Sequence, residues 1–270
     1  MIDKTATIHQ GAIVHKDAVI GNNVEICAYA IIGKNVEIGS GTIVESHVNI
    51  QGPTKIGKNN HIFSFASIGT DPQDLSYETG QESNLEIGDD NIIREFVTIN
   101  RGTQKQDSIT RVGSKNMLMS YVHIAHDCIV GDHIIMSNNS SLAGHVKLND
   151  YAILGGFTLV KQFTHIGCHA YTAMGCQINK DIPPYMVVSH HPTRITSINI
   201  EGLKRRSFSN SSIASVKRGF KAIYREDRGG LLSDALNKLE AVEIGNEFIF
   251  NIIDFIRKSK NGILRGPTEG

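Results

Sequence analysis

The chain has 270 residues, which is enough for one large domain or two smaller ones. Its 27 Lys and Arg residues balance its 27 Asp and Glu residues, so the formal net charge is zero, and this argues against a protein that binds nucleic acid over its whole surface. No run of about 18 apolar residues is present, so we expect no transmembrane helix.

The N-terminal segment, MIDKTATIHQ, lacks the apolar core of a secretory signal. The four cysteines also bear on location, because they show neither the spacing of a metal-binding knuckle nor that of a disulfide framework. We therefore interpret them as reduced thiols and expect a cytoplasmic protein. They are Cys27, Cys128, Cys168 and Cys176.

An aliphatic residue recurs at every sixth position from Ile8 to Ile68, and the position two residues earlier is small or β-branched except at Asn60. The repeat resumes after two interruptions and runs on from Val112, with Thr172 as its one polar member. A period of six fits neither an amphipathic helix, with 3.6 residues per turn, nor a simple hairpin array. It is typical of a parallel β-helix with three short faces per coil of eighteen residues.

The two interruptions, near 70–84 and 102–110, are polar and rich in turn-forming residues. A solenoid tolerates such inserts only as loops that leave its surface, and loops of that kind often carry function. We therefore predict an all-β parallel β-helix of hexapeptide repeats over residues 1–190, with two loop inserts.

Beyond Pro184 the apolar spacing becomes helical. Apolar residues in 209–225 recur at intervals of three and four, and similar patterns follow in 231–242 and 245–258. We predict a small α-helical C-terminal domain over residues 191–270, which caps the open edge of the last coil or completes a binding site. The stripe in 209–225 consists of Ile213, Val216, Phe220 and Ile223, and Asn246 is a candidate N-cap.

Histidines and a carboxylate cluster in the stretch VHIAHDCIVGDH at 122–133. Residues eighteen apart lie directly above one another in the predicted β-helix, about 4.8 Å apart. His126 is therefore expected under Gly144, which is under Gln162, and Asp127 under His145. With His123 from the same coil, these residues form one predicted patch: His123, His126, Asp127, Gly144, His145 and Gln162.

Three interpretations of this patch are open. It is a solvated surface, or it is a zinc site in which His123, His126 and His145 are the ligands, as in trimeric carbonic anhydrases of the same repeat class. In the third interpretation His126 is a general base beside a carboxylate, and the Gly144 N–H stabilises a developing oxyanion. The third arrangement suits acyl transfer to an alcohol.

Five stretches, SFASIGTDPQDLSY, HIAHDCIVGDH, NNSSLAGHV, GGFTLVKQF and NIEGLKRR, resemble the bacterial UDP-N-acetylglucosamine O-acyltransferase family over nearly the whole chain. The resemblance implies a left-handed β-helix and a homotrimer with active sites in clefts between neighbouring β-helices. It implies transfer of a 3-hydroxyacyl group from acyl carrier protein to the sugar 3-position of UDP-N-acetylglucosamine, the first step of lipid A biosynthesis. It implies no metal or other cofactor.

The resemblance also assigns roles to individual residues. His126 is the implied general base, Asp127 supports it, and Gly144 is the implied oxyanion donor. The implied substrate-positioning residues are Asp74, His123, His145 and Gln162. The implied contacts to the nucleotide sugar are Asn199, Glu201 and Arg205, with the planar, always charged guanidinium of Arg205 on the diphosphate.

Three positions distinguish this chain from many members of the family. Ser76 stands where a lysine is frequent, and Lys161 stands where a histidine is frequent, so one sugar contact at residue 76 is in question. Met174 stands where some relatives have glycine at the end of the acyl groove. Because methionine fills more volume, we expect a shorter acyl chain, unless Met174 simply packs between coils.

Two further alternatives are a non-catalytic β-helix scaffold and the sister N-acyltransferase of the same pathway. A scaffold gives no reason for the column that contains His126, Gly144 and Gln162. The N-acyltransferase carries an additional N-terminal uridine-binding domain, whereas the hexads here begin by residue 6. The identity of the 3-substituent of the sugar, hydroxyl or amine, is left open by the sequence.

Overall fold

Short parallel strands wind into a left-handed β-helix, as the hexapeptide repeat and the resemblance predicted. The computed structural model describes residues 1–78, 80–226 and 230–266. Strands pair in parallel with the third strand along the chain, so that Ile8 pairs with Ile26 eighteen residues later. The strands are β1 Thr7–Ile8, β2 Ile13–Val14, β3 Val19–Ile20, β4 Glu25–Ile26, β5 Ile31–Ile32, β6 Val36–Ile38, β7 Ile43–Val44, β8 Asn49–Ile50, β9 Thr54–Ile56, β10 His61–Ile62, β11 Ser67–Thr70, β12 Asn84–Ile87, β13 Ile92–Ile93, β14 Thr98–Asn100, β15 Ile109–Val112, β16 Met117–Leu118, β17 His123–Ile124, β18 Ile129–Val130, β19 Ile135–Met136, β20 Ser141–Leu142, β21 Lys147–Leu148, β22 Ile153–Leu154, β23 Leu159–Val160, β24 His165–Ile166, β25 Tyr171–Thr172, β26 Gln177–Ile178, β27 Met186–Ser189 and β28 Arg194–Ile198.

The strands form three sheets, which are the three faces of the coil. Sheet 1 contains every third strand from β1 to β25 and then β27 and β28, sheet 2 every third strand from β2 to β26, and sheet 3 every third strand from β3 to β24. We call the turn from sheet 1 to sheet 2 corner I, from sheet 2 to sheet 3 corner II, and from sheet 3 to sheet 1 corner III.

Both loop inserts leave the β-helix at corner II. The first joins β11 to β12 and the second joins β14 to β15, and each of these connections runs from sheet 2 to sheet 3. The strands that flank the first insert keep their pairing with the next coil, so that Ile68 faces Ile99. Corner II is therefore the one place on the described β-helix where two long loops meet.

The interior is aliphatic, and several of its polar members are hydrogen-bonded to one another. Ile68, Ile99 and Ile124 are fully buried in one column. Thr172, the one polar residue in the predicted inward series, is also fully buried, and its hydroxyl lies 2.8 Å from that of Thr158. Buried polar groups are costly unless they are paired, and this pairing explains why threonine is tolerated there.

Asn60 begins a ladder of buried asparagines. The Asn91 backbone and side-chain N–H groups both donate to Asn60 Oδ1 at 2.9 Å, and the Asn116 N–H donates to Asn91 Oδ1 at the same distance. Each side chain thus satisfies the coil above it, which accounts for the exception at Asn60 in the small-residue position.

Beyond the parallel strands, β27 adds to sheet 1 and pairs antiparallel with β28. The predicted boundary between residues 190 and 191 falls in the turn of this hairpin. The helices are α1 Ile200–Arg205, α2 Asn210–Lys221, α3 Leu232–Val242 and α4 Glu247–Lys258, with a π-helical turn at Ala222–Glu226. The predicted stripe is buried: Ile213, Val216, Phe220 and Ile223. Among the described residues, no helix combines the length and apolarity needed to cross a membrane.

The predicted cap of α4 is confirmed. Asn246 has extended backbone angles, and its side chain accepts hydrogen bonds from the N–H groups of Phe248 and Ile249. Such a cap satisfies backbone donors that have no partner within the helix.

Candidate active site

The imidazole of His126 and the carboxylate of Asp127 form a hydrogen-bonded pair at corner II. His126 Nδ1 lies 2.8 Å from Asp127 Oδ2. Asp127 is 3% exposed, and it also accepts hydrogen bonds from the Thr103 N–H at 2.9 Å and the Thr103 hydroxyl at 2.6 Å. Since Thr103 belongs to the second insert, that loop fixes the carboxylate that orients His126.

The hydrogen bonds keep Asp127 ionised. Burial by itself raises the pKa of the Asp127 carboxyl, but the hydrogen bonds from His126 and Thr103 outweigh burial and hold the pKa below its usual range. An ionised carboxylate only accepts hydrogen bonds, so the proton of the pair lies on His126 Nδ1. The other ring nitrogen, Nε2, is then free to take a proton from a substrate.

Gly144 lies directly against the ring of His126. A Cβ atom at residue 144 would be 2.5 Å from His126 Cε1 and 2.8 Å from Nε2, closer than real Cβ contacts. The Gly144 N–H has no hydrogen-bond partner in the described part of the chain. The absence of a side chain at Gly144 therefore leaves room for the imidazole of His126, and the Gly144 N–H is a hydrogen-bond donor beside that ring.

The coil above contributes His145, which stands between Asp127 and Phe163. Its ring stacks on Phe163 with centroids 4.4 Å apart, its Nε2 lies 3.7 Å from Asp127 Oδ2, and its Nδ1 lies 2.8 Å from Gln106 Oε1. Burial, above all, lowers the pKa of His145, which favours the neutral ring. Gln162 is exposed and lies one coil above Gly144, as the repeat predicts.

His123 faces the same corner from β17. Its Nδ1 lies 2.7 Å from the Thr98 hydroxyl, and burial, with a smaller effect of nearby His126, lowers its pKa. Metal-ligating atoms converge in the described residues only at His126, Asp127 and His145, within 4.8 Å of one another. This set replaces His123 by a carboxylate, so it differs from the three-histidine zinc site that we considered.

The first insert brings Asp74 to the same corner. Asp74 Oδ2 lies 2.6 Å from Lys105 Nζ and 3.9 Å from His126 Nε2, and Asp74 Oδ1 accepts hydrogen bonds from the N–H and hydroxyl of Ser76, each at 2.9 Å. Ser76, which stands where many relatives have lysine, thus binds the carboxylate of Asp74.

Sequence reasoning missed three residues of the second insert: Thr103, Lys105 and Gln106. Loop residues have no period, so no stacking rule applies to them. The positions of the two interruptions were the available signal. Each falls between a sheet 2 strand and a sheet 3 strand, as the turn that contains His126 does, so both loops could have been placed at the same corner as His126.

The remaining predicted site residues lie elsewhere on the chain. Met174 is at corner I and is 78% exposed, so it does not pack between coils. Asn199 is the N-cap of α1, and its amide donates to the backbone oxygen of His169, a corner III residue, at 2.9 Å. Glu201 and Arg205 are exposed on α1. Within one chain, the predicted residues are therefore distributed over three different corners.

Comparisons with family models and with curated proteins match this chain to one family of acyltransferases. Residues 181–264 match the family model described as Udp N-acetylglucosamine O-acyltransferase, Domain 2, and residues 17–52 match the model of six bacterial transferase hexapeptide repeats. An acyl-(acyl-carrier-protein)–UDP-N-acetylglucosamine O-acyltransferase from Herminiimonas arsenicoxydans is 48% identical over 264 residues, which cover 96% of this chain and 99% of the relative. One of the same description from Thiobacillus denitrificans is 48% identical over 260 residues, 96% and 100% of the two chains.

Solved structures give the same result. A UDP-N-acetylglucosamine acyltransferase from Bacteroides fragilis superposes with a TM-score of 0.93 at 42% identity, over 96% of this chain and 100% of that one. The UDP-N-acetylglucosamine acyltransferase from Francisella novicida superposes with a TM-score of 0.88 at 41% identity, over 99% and 95%.

Proposed function

This chain belongs to the acyl-(acyl-carrier-protein)–UDP-N-acetylglucosamine O-acyltransferase family, and we propose that His126 is the general base of its reaction. The reaction transfers a 3-hydroxyacyl group from acyl carrier protein to the sugar 3-position of UDP-N-acetylglucosamine, as the first step of lipid A biosynthesis. The carbonic anhydrase alternative is not favoured, because relatives that match nearly the whole chain are acyltransferases.

The contact that carries the assignment is the one between His126 Nδ1 and Asp127, which leaves Nε2 beside Gly144, whose N–H has no partner among the described residues. Nε2 removes the proton from the sugar hydroxyl as its oxygen attacks the carbonyl carbon of the acyl thioester. The Gly144 N–H donates to the oxyanion of the tetrahedral intermediate. The carbon–sulfur bond then breaks, and the thiolate of the carrier protein takes the proton from His126.

The other corner II groups are suited to hold the acceptor. Asp74 is an ionised acceptor near His126 Nε2, since hydrogen bonds from Lys105 and then Ser76 hold its pKa well below the usual range. His123, His145 and Gln162 present neutral donors and acceptors along the same edge. Asn199, Glu201 and Arg205 contact the nucleotide in this proposal, with Arg205 on the diphosphate.

Mass spectrometry of the product tests the activity. Purified protein is incubated with UDP-N-acetylglucosamine or its 3-amino analogue and a series of 3-hydroxyacyl carrier proteins. Acylated sugar nucleotide supports the proposal and shows which 3-substituent is used, whereas no product from either acceptor contradicts it. No cofactor is included in the proposal, and we place the reaction in the cytoplasm, where the four cysteines would stay reduced, as they are in the structure.

The proposal includes a homotrimer, because three sets of predicted residues lie at three corners of one chain. A neighbouring chain can bring its α1 residues to corner II of the first. A row of exposed, stacked aromatic rings along corner I supports such contacts, since apolar patches of this kind commonly mark interfaces. The row consists of Tyr29, His47, Phe65, Phe96 and Tyr121, with successive centroids 4.8 to 5.2 Å apart.

Mixed subunits test whether the site is shared. We expect the His126→Ala and Arg205→Ala proteins each to lose most of their activity alone, and their one-to-one co-expressed mixture to recover about a quarter of wild-type activity. In a random mixture, half of the corner II sites carry His126 and half of the neighbouring α1 helices carry Arg205, so about one interface in four is intact. Recovery is measured per trimer after size-exclusion chromatography. A mixture as inactive as its components would place both residues in the same chain.

Met174→Gly is expected to shift the preferred 3-hydroxyacyl chain towards greater length. Removing the exposed side chain opens room for additional methylene groups, each worth about 0.8 kcal/mol when buried, so two more carbons gain roughly tenfold in relative kcat/KM. Rates across the series of acyl carrier proteins measure the shift. Met174→Leu preserves volume and serves as the control. An unchanged preference in the glycine variant would exclude Met174 from the acyl groove.

A further inference from the structure

Lys105 lies at the junction of the two inserted loops. Its ammonium, Nζ, is 2.6 Å from Asp74 Oδ2 of the first insert, and its backbone N–H donates to the Thr103 hydroxyl at 3.4 Å. That hydroxyl in turn donates to Asp127 at 2.6 Å. Lys105 therefore binds the Asp74 carboxylate directly through its side chain, and its backbone is linked to the Asp127 carboxylate through the Thr103 hydroxyl.

The oxygen of Asp74 that binds Lys105 is also the one nearest to the catalytic ring. Asp74 Oδ2 lies 3.9 Å from His126 Nε2, the nitrogen that the proposed reaction requires to be free of a proton. The other oxygen, Oδ1, is occupied by Ser76. Without the ammonium, Oδ2 would be an unneutralised anion facing Nε2, and an anion at that distance favours the charged form of a histidine.

The charges around His126 make this contact decisive. Asp127 and Asp74 are both ionised, His145 meets the His126 ring edge-on with centroids 5.2 Å apart, and His123 lies in the same coil. Burial favours the neutral form of both neighbouring histidines. Lys105, through its contact with Asp74, is thus a positive charge set against one of the two carboxylates beside the ring.

We propose that Lys105 is a positioning residue for the acyl transfer, because it holds the Asp74 carboxylate beside the acceptor site and offsets its charge against His126. This inference rests on the proposed function. Lys105 belongs to the second insert, outside the hexapeptide repeat. In this proposal it affects both the affinity for the sugar nucleotide and the charge beside the general base.

Steady-state rates of Lys105→Met test the role. UDP-N-acetylglucosamine is varied at saturating acyl carrier protein donor, over about pH 5.5 to 9. We expect KM for the sugar nucleotide to rise about tenfold, because Asp74 loses its anchor. We also expect the acidic limb of kcat/KM to move to higher pH, because removing the ammonium leaves the Asp74 carboxylate beside the base without its countercharge. Lys105→Arg should restore both values in large part.

Lys34→Met is the matched control. Lys34 is an exposed corner II lysine at the same turn position as His126, four coils below it, or about 19 Å away. This is beyond the screening length of about 8 to 10 Å, so the same loss of charge should leave both values unchanged.

Several outcomes would overturn the proposal. An unmoved KM and acidic limb in Lys105→Met would do so, as would a fall in kcat alone, or a shift of equal size in Lys34→Met. Wild-type protein that forms no product with either acceptor would contradict the proposed function instead, so the two failures are distinguishable.

Discussion

Replacing His126 with alanine is expected to lower kcat for acyl transfer by about a factor of 10³ without unfolding the β-helix. General base catalysis typically contributes about 10² to 10⁴ in rate. The side chain is not part of the aliphatic interior, and the loss of its hydrogen bond leaves Asp127 with both Thr103 contacts. Initial rates measured by mass spectrometry of the acylated sugar nucleotide, together with thermal unfolding, measure the two effects.

His15→Ala is the matched control for this substitution. His15 is a half-buried corner II histidine in the first coil, and its ring contacts only Asp17 among the polar groups recorded for the described residues, through the Asp17 N–H at 3.1 Å and the carboxylate at 3.8 Å. Its loss should not change the rate. A His126→Ala protein that retains wild-type kcat would remove the general base from the proposal. A protein that loses activity only because it no longer folds would show a lowered unfolding temperature.

The pH dependence of kcat/KM of the wild-type enzyme is a second test of a general base at this site. In the proposed reaction the general base must be free of a proton, so we expect kcat/KM to fall on the acidic side. Asp127 stays ionised through this range, because its pKa lies below the usual value for a carboxyl. The acidic limb is therefore expected to vanish from the residual rate of His126→Ala.

The regular part of the fold was predictable because one rule governs it. A period of six fixes which residues point inward, and a coil of eighteen fixes which residues are neighbours. The contact between His126 and Gly144 followed from that arithmetic. Thr172 and Asn60 broke the pattern of residue types, but their burial was predictable from position, and only their hydrogen-bond partners had to come from the structure.

The same arithmetic could have separated the corners. Met174 follows His126 by 48 residues, which is two coils and two further faces, so it cannot share a corner with His126 in one chain. The contacts of Thr103, Lys105 and Gln106 had no such basis, because the path of an insert depends on its own turns and on the opposite loop. The unpredicted part of the site is therefore the part built from loops.

Gly144→Ala is expected to lower kcat by about 10² while the β-helix stays folded. The backbone at residue 144 is not in the left-handed region, so alanine is sterically allowed in the turn itself. The added Cβ, however, would lie 2.5 Å from His126 Cε1, and the imidazole must move away. A displacement of about 1 Å from a reactive geometry is enough to cost about 10²-fold in rate.

Gly156→Ala is the control, since it occupies the same turn position at corner I and its Cβ would meet only a backbone oxygen of Asn138 at 3.3 Å. The decisive measurement is the double variant His126→Ala/Gly144→Ala. Alanine keeps the N–H of residue 144, so the substitution acts through the displaced ring, and the double variant should be no slower than His126→Ala alone. If the two losses multiply instead, the methyl group disturbs the oxyanion donor directly. That result would contradict the prediction that Gly144→Ala acts by displacing the ring of His126.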